Sequence, residues 1–191
     1  MLKTANYAFE EARQEDLRDI ARMHERFFGC TFSGQLGLKF LEDFYSLINA
    51  SPEGIIVVCR DKGKIVGFVS GLSSEGGFAG RLLFKNFWSV LGHWRQGLDF
   101  VRREIVFKGG EFKAELKSIA ILQEYQRQGI ASELVSRLET FFKKKSVTGY
   151  KAFTDLKSSP DAWKFYESSH FCLHQKETIS GIETRLYAKT I

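Results

Sequence analysis

The sequence predicts an α/β fold in a single domain that spans residues 1–191. Segments with strand character alternate along the chain with segments whose apolar residues recur at helical spacing. The length of 191 residues and the 43% hydrophobic content are sufficient for one large core. The chain has only 2 prolines and no Gly/Ser-rich tract, so its composition offers no linker between two domains.

Residues 1–72 are predicted to form three strands and two helices. In order, the expected elements are a strand over Asn6–Ala12, helices over about Asp16–Phe28 and Leu36–Asn49, and strands over Gly54–Arg60 and Ile65–Leu72. The last two strands are joined by a sequence typical of a hairpin turn, in which Gly63 takes a positive φ. His24 falls on the apolar stripe of the first helix, and we interpret it as a core histidine.

Residues 73–111 form a long insertion between the third and fourth predicted strands. Its apolar spacing predicts two helices, one with Leu82, Leu83, Phe87, Val90, Leu91 and Trp94 and a shorter one with Phe100, Val101, Ile105 and Phe107. Between Phe78 and Lys108, six basic residues outnumber two acidic ones. Four interpretations stay open: helices with a solvated basic face, a lid over an anionic substrate, a homodimer surface, or a peripheral contact with anionic lipid.

A strand, a glycine-containing turn and a helix follow the insertion. The strand covers Glu115–Leu122, the turn is Gln126-Arg127-Gln128-Gly129-Ile130-Ala131, and the helix carries Ile130, Leu134, Leu138, Phe141 and Phe142 at helical spacing. Backbone N–H groups converge at the start of such a helix, and its dipole favours an anion. Because Gly129 lets the backbone approach a ligand closely, the sequence predicts a phosphate-binding loop here.

The last part of the chain is predicted to hold a strand, a helix and a final strand pair. The strand covers Thr148–Leu156, and Ser159 then caps a helix that has Pro160 in its first turn. The strands at Phe171–Gln175 and about Glu183–Thr190 flank a turn at Ser180-Gly181.

The turn at Gln126–Ala131 resembles the acyl-CoA pyrophosphate loop of the GNAT superfamily of N-acetyltransferases, whose pattern is Gln/Arg-x-x-Gly-x-Gly/Ala. With its flanking strand and helix, it is the first of two motifs that carry the resemblance. The resemblance covers about residues 113–174 well and residues 1–72 in element order. It implies a mixed, mostly antiparallel twisted sheet that is flanked by helices and splayed near the cofactor. The helical insertion at about 73–111 would then lie between the third and fourth strands.

A segment near the C-terminus is similar to the GNAT pattern Asn-x-x-Ala-x-x-x-Tyr-Glu, which ends near Gly-Phe. The matching residues are Ala162, Tyr166, Glu167 and Phe171. Ser159 stands in for the asparagine, which keeps a helix cap but shortens the side chain, and His170 stands in for the glycine.

The resemblance implies acetyl-CoA as a co-substrate and no metal. In the family, backbone groups of the fourth strand hold the pantetheine arm and the loop holds the pyrophosphate. The implied binding residues are Ile119, Ala120, Ile121, Gln126, Arg127, Gln128, Gly129, Ile130, Ala131, Ser132, Ser159 and Ala162.

Two side chains are candidates for proton transfer. Acyl transfer releases a thiolate, whose conjugate acid has a pKa of about 8.5, and a phenol with a pKa of about 10 can protonate it. Tyr166 is therefore the candidate acid, a role that the resemblance also implies. Glu115 is the candidate base, direct or through water, because its strand is similar to the one that carries the glutamate of histone-type acetyltransferases. Asp155 and Glu25 are alternatives.

The predicted function is transfer of an acetyl group from acetyl-CoA to a primary amine, by direct attack in a ternary complex. The acceptor is a small-molecule amine, with a nucleotide-linked amino sugar or another anionic amine as candidates beside a protein N-terminus or a polyamine. A catalytically silent CoA-binding module for regulation or interaction is the main alternative. A nucleic-acid binder without CoA is a third, although no recognition motif accompanies the net charge of +5.

Cysteine usage and hydropathy predict a cytoplasmic protein. The three cysteines, Cys30, Cys59 and Cys172, are odd in number, scattered, and without metal-ligand spacing. Residues 1–17 carry charges throughout, unlike a signal peptide, and no apolar run is long enough to span a membrane.

Overall fold

The computed structural model describes residues 7–29, 31–87, 91, 112–155, 162–179 and 181–191. Its strands are β1 (Ala8–Glu11), β2 (Gly54–Asp61), β3 (Lys64–Leu72), β4 (Ala114–Ile121), β5 (Gly149–Asp155), β6 (Cys172–Ile179) and β7 (Ile182–Thr190). Its α-helices are α1 (Leu17–Phe28), α2 (Phe32–Gln35), α3 (Gly37–Asn49), α4 (Phe78–Lys85), α5 (Ile130–Lys144) and α6 (Ala162–Ser168).

The strands form one seven-stranded sheet in the order β1-β2-β3-β4-β5-β7-β6. The β4–β5 pair is parallel, and the other neighbouring pairs are antiparallel. The parallel ladder joins Ala114–Leu116 to Tyr150–Ala152 and extends no further, although both strands continue. The sheet is therefore mixed and mostly antiparallel, as predicted, and it splays between β4 and β5.

A bulge in β4 changes the face on which its side chains lie. Lys117 is an extra residue between Leu116 and Ser118, which pair with consecutive residues of β3. In a regular strand, neighbouring side chains would lie on opposite faces. Here the Lys117 ammonium contacts Glu75, while Ser118 Oγ lies 3.5 Å from the Nδ1 atom of His24 in α1. The bulge therefore directs both side chains to the face of the sheet that α1 and α3 cover.

Alternate residues of the central strands supply two cores, one on each face of the sheet. Val57 and Val69 pack with the apolar stripe of α5 on one face. Val58 and Phe68 pack with residues of α1 and α3 on the other. This alternation is the period of two expected for a sheet that is covered on both sides, and it fixes the register of the strands.

Most predicted elements are confirmed with small shifts in their ends. Lys62 and Gly63 take φ values of 49° and 82°, so the predicted hairpin turn is present. The four-residue helix α2 was not predicted, because it is too short to show a helical period. The helix α4 lies within the predicted insertion, whereas the second predicted helix of the insertion falls outside the described residues.

Candidate active site

The predicted phosphate loop links β4 to α5 and is held by its own side chains. Gln126 Nε2 donates a hydrogen bond to the Ile121 carbonyl (3.1 Å), and Gln128 Nε2 donates to the Glu124 carbonyl (3.1 Å). The Tyr7 hydroxyl donates to Gln128 Oε1 (2.5 Å), which ties the loop to the residue that precedes β1. The side chains of Gln126 and Gln128 thus fix the shape of an exposed loop.

Two residues of this loop adopt left-handed backbone conformations. Arg127 has a φ of 59° and Gly129 a φ of 80°. A Cβ atom at Gly129 would meet nothing within 4 Å, so it is the positive φ, and not crowding, that favours glycine there. Immediately afterwards, the 15-residue helix α5 begins at the buried Ile130. An exposed turn that leads into a long helix is suited to a diphosphate, because the first N–H groups of a helix have no partner within it.

The strand β4 continues past its last pair with β5. Its residues Ile119–Ile121 pair with β3 on one edge, and they follow the β4–β5 ladder, which stops at Leu116. This geometry fits an extended ligand with amide groups, such as a pantetheine arm, that would pair with β4 where β5 has diverged.

Tyr166 lies in α6, buried among aromatic rings. Its ring stacks on that of Tyr187 with centroids 5.1 Å apart and meets the edge of Phe171 at 5.2 Å. Burial raises the pKa of Tyr166, and the neighbouring Tyr187 and Glu115 raise it further. The phenol therefore keeps its proton at neutral pH, and Glu115 is close enough to influence it electrostatically.

The second motif that carries the family resemblance, at residues 159–171, lies partly outside the described residues. Ala162 begins α6, and Ser159 lies outside the described residues. His170, which stands where the GNAT pattern has glycine, has a φ of 64°. This is the left-handed region that glycine favours, so the histidine keeps the turn that precedes Phe171.

Glu115 belongs to a group of two acids and two bases, buried except for the half-buried Glu75, which we call the charge cluster: Glu75, Glu115, Lys117 and Lys151. Glu115 Oε2 lies 2.9 Å from Lys117 Nζ and 3.7 Å from Lys151 Nζ. Glu75 bridges the same two ammonium groups, at 2.5 Å from Lys117 and 3.2 Å from Lys151. Because Glu115 and Lys151 are register partners in the β4–β5 ladder, the cluster lies where the two strands begin to diverge.

The cluster holds Glu75 in its charged form. Burial alone would raise the pKa of Glu75, but the charge of Lys117, a hydrogen bond shared with Glu115, a hydrogen bond from Lys117 and the charge of Lys151 outweigh it. Together they lower the pKa to about 2. Sequence reasoning found Glu115 and missed the other three residues. The available signal was the presence of Lys117 and Lys151 within strands that are otherwise largely apolar.

Beside the charge cluster, His24 belongs to a buried polar group. Its Nδ1 atom lies 2.6 Å from the Tyr45 hydroxyl, and burial lowers the pKa of His24 to about 3. The ring is therefore neutral at ordinary pH, which fits the interpretation of a core histidine. Of the alternative bases, Glu25 is exposed on α1, and Asp155 ends β5.

The described residues contain neither a candidate metal site nor a candidate membrane span. No group of three or more His, Cys, Asp or Glu side chains in this part of the chain could hold a metal ion. None of the described helices has the length and apolar character needed to cross a bilayer.

Solved structures from several bacteria share this fold. A ribosomal-protein-alanine N-acetyltransferase from Brucella melitensis is 14% identical, with a TM-score of 0.65 over 96% of this chain and 99% of that one. An N-acetyltransferase from Staphylococcus aureus Mu50 is 15% identical, with a TM-score of 0.63 over 97% and 98%. A protein described as a streptothricin acetyltransferase from Bacillus anthracis, solved with acetyl coenzyme A, is 14% identical, with a TM-score of 0.53 over 77% and 68%.

Family comparison agrees with the fold. No sequence among curated proteins matches this chain. A sequence model of the acetyltransferase (GNAT) family does match, over residues 17–171, which include α1, the charge cluster on β4 and β5, the phosphate loop and α6. The chain therefore belongs to the GNAT acetyltransferase family, whose fold is that of acyl-CoA-dependent N-acyltransferases.

Proposed function

We propose that this protein transfers an acetyl group from acetyl-CoA to a primary amine, by direct attack of the amine within a ternary complex. The observation that carries the proposal is the combination of an exposed left-handed loop at the start of α5 with the divergence of β4 from β5. Together they would suit a diphosphate and, beside it, an extended chain that pairs with a strand edge. The Bacillus anthracis structure with acetyl coenzyme A bound supports the choice of co-substrate.

Acetyl-CoA supplies the activated thioester, and the chain supplies the binding groups. Backbone N–H groups of Gln126–Ser132 would hold the diphosphate, and Ile119–Ile121 would pair with the pantetheine arm. Ser159 and Ala162 are proposed contacts on the strength of the family resemblance. A backbone N–H near Ile119 would also stabilise charge on the thioester carbonyl during attack.

Tyr166 is the proposed general acid. It is protonated at neutral pH because burial raises its pKa, so it has a proton to donate to the departing thiolate. Replacing Tyr166 by Phe should lower turnover by about 100-fold while leaving the affinity for CoA unchanged. Tyr187→Phe is the matched control, because Tyr187 is also buried and stacks on Tyr166. A Tyr166→Phe protein that folds and turns over within a few-fold of wild type would remove this assignment.

Glu115 is the proposed general base. Its side chain is buried and paired with Lys117 and Lys151, so we propose that it accepts the amine proton through a water molecule. A Glu115→Gln variant should change the dependence of kcat/KM on pH, and an unchanged profile would exclude the residue from this role.

The family does not determine the acceptor. By name, one structural relative acts on a ribosomal-protein alanine and another on streptothricin. An anionic amine, such as a nucleotide-linked amino sugar, is our proposed class, and a cytoplasmic location stays a prediction. Release of free CoA thiol from acetyl-CoA, measured over a panel of amines, tests the proposal. Calorimetry that detects no binding of CoA would refute it.

A catalytically silent CoA-binding module is the second candidate. Ser159 in place of the family's asparagine favours it, since a shorter side chain has less reach towards the cofactor. The conformation of His170 opposes it, because the turn before Phe171 is retained. Binding of CoA without thiol release for any amine in the panel would support the silent module.

A further inference from the structure

The charge cluster contains one member that differs from the other three. Glu115, Lys117 and Lys151 lie on β4 and β5, with side-chain exposures of 4%, 8% and 11%. Glu75 comes from the segment that follows β3, and its side chain is 28% exposed. It is therefore the member that faces solvent and the one that does not belong to the sheet.

Glu75 is the acid of the cluster that is held in its charged form, and both lysines contact it. Each lysine also contacts Glu115. Without Glu75, the two ammonium groups lose a carboxylate that they share. Buried ammonium groups that lose a counter-ion attract another negative group, because an uncompensated buried ion is costly.

The location of the cluster connects it to the reaction. It lies at the last rungs of the β4–β5 ladder, and Ile119–Ile121, the proposed pantetheine edge, follow directly along β4. It includes Glu115, the proposed base, which also influences the pKa of Tyr166. An acceptor whose amine reaches Glu115 would bring its other groups close to Lys117 and Lys151.

From these observations we infer that Lys117 and Lys151 form a carboxylate subsite for the acceptor, and that Glu75 occupies this subsite until a substrate carboxylate displaces it. The acceptor class is then an amine that carries a carboxylate, such as an amino acid. This inference rests on the proposed function for its substrate but not for its geometry. A substrate carboxylate would replace the Glu75 carboxylate by a group of the same charge and shape, which a phosphate would not do.

Aromatic rings line the same site. Lys117 Nζ lies 5.8 Å from the centroid of Phe78, and Lys151 Nζ lies 5.5 Å from that of Phe153. The ring faces stabilise the two ammonium groups and offer apolar surface to the carbon chain of an acceptor. The subsite is thus suited to a small organic acid more than to an inorganic anion.

Binding of propionate to the full chain tests the inference, with propionamide as the neutral probe of the same shape. Glu75→Gln removes the internal carboxylate charge while keeping the side-chain size. We expect this variant to bind propionate at least about tenfold more tightly than wild type, and to show no binding of propionamide. Adding Lys151→Gln to Glu75→Gln should abolish propionate binding.

Glu53→Gln is the matched control. Glu53 forms its ion pair with Lys145, which lies outside the cluster, and it accepts a hydrogen bond from Ser73, two positions before Glu75 in the chain. This variant should bind propionate as wild type does. An equal gain in Glu53→Gln and Glu75→Gln, or equal binding of propionamide, would overturn the inference. Inorganic phosphate that binds Glu75→Gln more tightly than propionate would overturn the carboxylate class.

Two further measurements keep the outcome decisive. If Glu75→Gln does not fold, Glu75→Asp withdraws the carboxylate from the lysines while keeping its charge, and it should show a smaller gain in propionate affinity; no gain would refute the inference. Calorimetry with CoA on the same variants tests the proposed function separately. A protein that binds propionate as expected and fails to bind CoA would retain the subsite and lose the acetyltransferase proposal.

Discussion

The predicted phosphate loop and the charge cluster lie at opposite ends of the same strand, β4, and are built in different ways. The loop is exposed, and apart from the hydrogen bond from Tyr7, its shape comes from residues within a few positions of one another, such as Gln126 and Ile121. The cluster is buried, and it joins Glu75, β4 and β5, which are far apart in sequence. One site offers main-chain groups, and the other offers side-chain charges.

This difference predicts how each site responds to mutation. A main-chain site depends on backbone conformation and tolerates most changes of side chain. A buried charge cluster depends on every member, because removing one charge leaves its partner without compensation in a medium of low polarity. Substitutions in the cluster should therefore affect folding, and substitutions in the loop should affect ligand binding.

The largest effect is expected for Lys117→Met. The variant leaves Glu75 and Glu115 close together with Lys151 as their remaining counter-ion in the cluster. Removing one partner of a buried ion pair typically lowers the free energy of unfolding by about 3–5 kcal/mol. Urea unfolding measured by circular dichroism would give the value.

Lys39→Met is the control for that measurement. Lys39 also pairs with a carboxylate, Asp43, at 3.3 Å, but its own side chain is 78% exposed, and the buried Asp43 keeps Lys85 as a second partner at 2.9 Å. Its loss should therefore cost about 0–1 kcal/mol, as for an exposed pair. Equal losses of stability in the two variants would mean that burial does not distinguish the cluster from a surface ion pair.

The contrast between a local loop and a cluster of distant residues also explains which parts of the candidate site could be predicted from the sequence. The loop around Gly129 and the partner motif at Tyr166 are local patterns, and both could be identified without a structure. The meeting of Lys117 and Lys151 was not predicted, because it depends on the register that pairs Glu115 with Lys151. Neither register nor the bulge at Lys117 is encoded in a short motif.

Glu75 was harder still to anticipate. Glu75 lies near the start of the insertion at residues 73–111. The sequence drew attention to the length and the basic charge of this insertion, and not to an acidic residue within it. The apolar spacing predicted a helix with Leu82 to Trp94, which α4 overlaps only in part, and it carried no information on which polar groups the preceding loop would bring to the sheet. Local periodicity predicts elements, and it does not predict the contacts between elements that are distant in sequence.

A smaller effect, on binding, is expected for Gly129→Ala. Gly129 has a φ of 80°, a conformation that costs alanine about 1–2 kcal/mol. The loop of the variant should therefore relax, and its original conformation must be restored when CoA binds. CoA affinity measured by calorimetry should fall by about tenfold.

Gly181→Ala provides a close control for the loop variant. Gly181 has a φ of 79° and, like Gly129, would place a Cβ atom in open space, but it lies in the turn between β6 and β7. Its substitution should cause a similar loss of stability without weakening CoA binding. If the two alanine variants bind CoA equally well, the loop around Gly129 is not the diphosphate site.

The smallest effect concerns acid stability, and it compares Glu75 with a surface carboxylate. The cluster lowers the pKa of Glu75 to about 2. The pKa of Glu53 is also lowered, first by a hydrogen bond from Ser73 and then by the charge of Lys145, which together outweigh the effect of burial. A carboxyl group whose pKa is lower in the folded state stabilises the protein above its unfolded pKa of about 4.5. That stabilisation is lost as the pH falls towards the folded pKa.

Glu75→Gln should therefore flatten the dependence of the urea midpoint on pH between about 4.5 and 2, and Glu53→Gln should flatten it less. Adding about 1 M NaCl reduces the screening length to about 3 Å, which weakens the exposed Glu53–Lys145 pair more than the buried cluster. The part of the Glu53 contribution that comes from Lys145 should then decrease, while the contribution of Glu75 persists. If salt reduces the contributions of Glu75 and Glu53 to acid stability equally, solvent screens the charge cluster as it screens a surface pair. The sensitivity of the cluster to mutation would then have a cause other than burial.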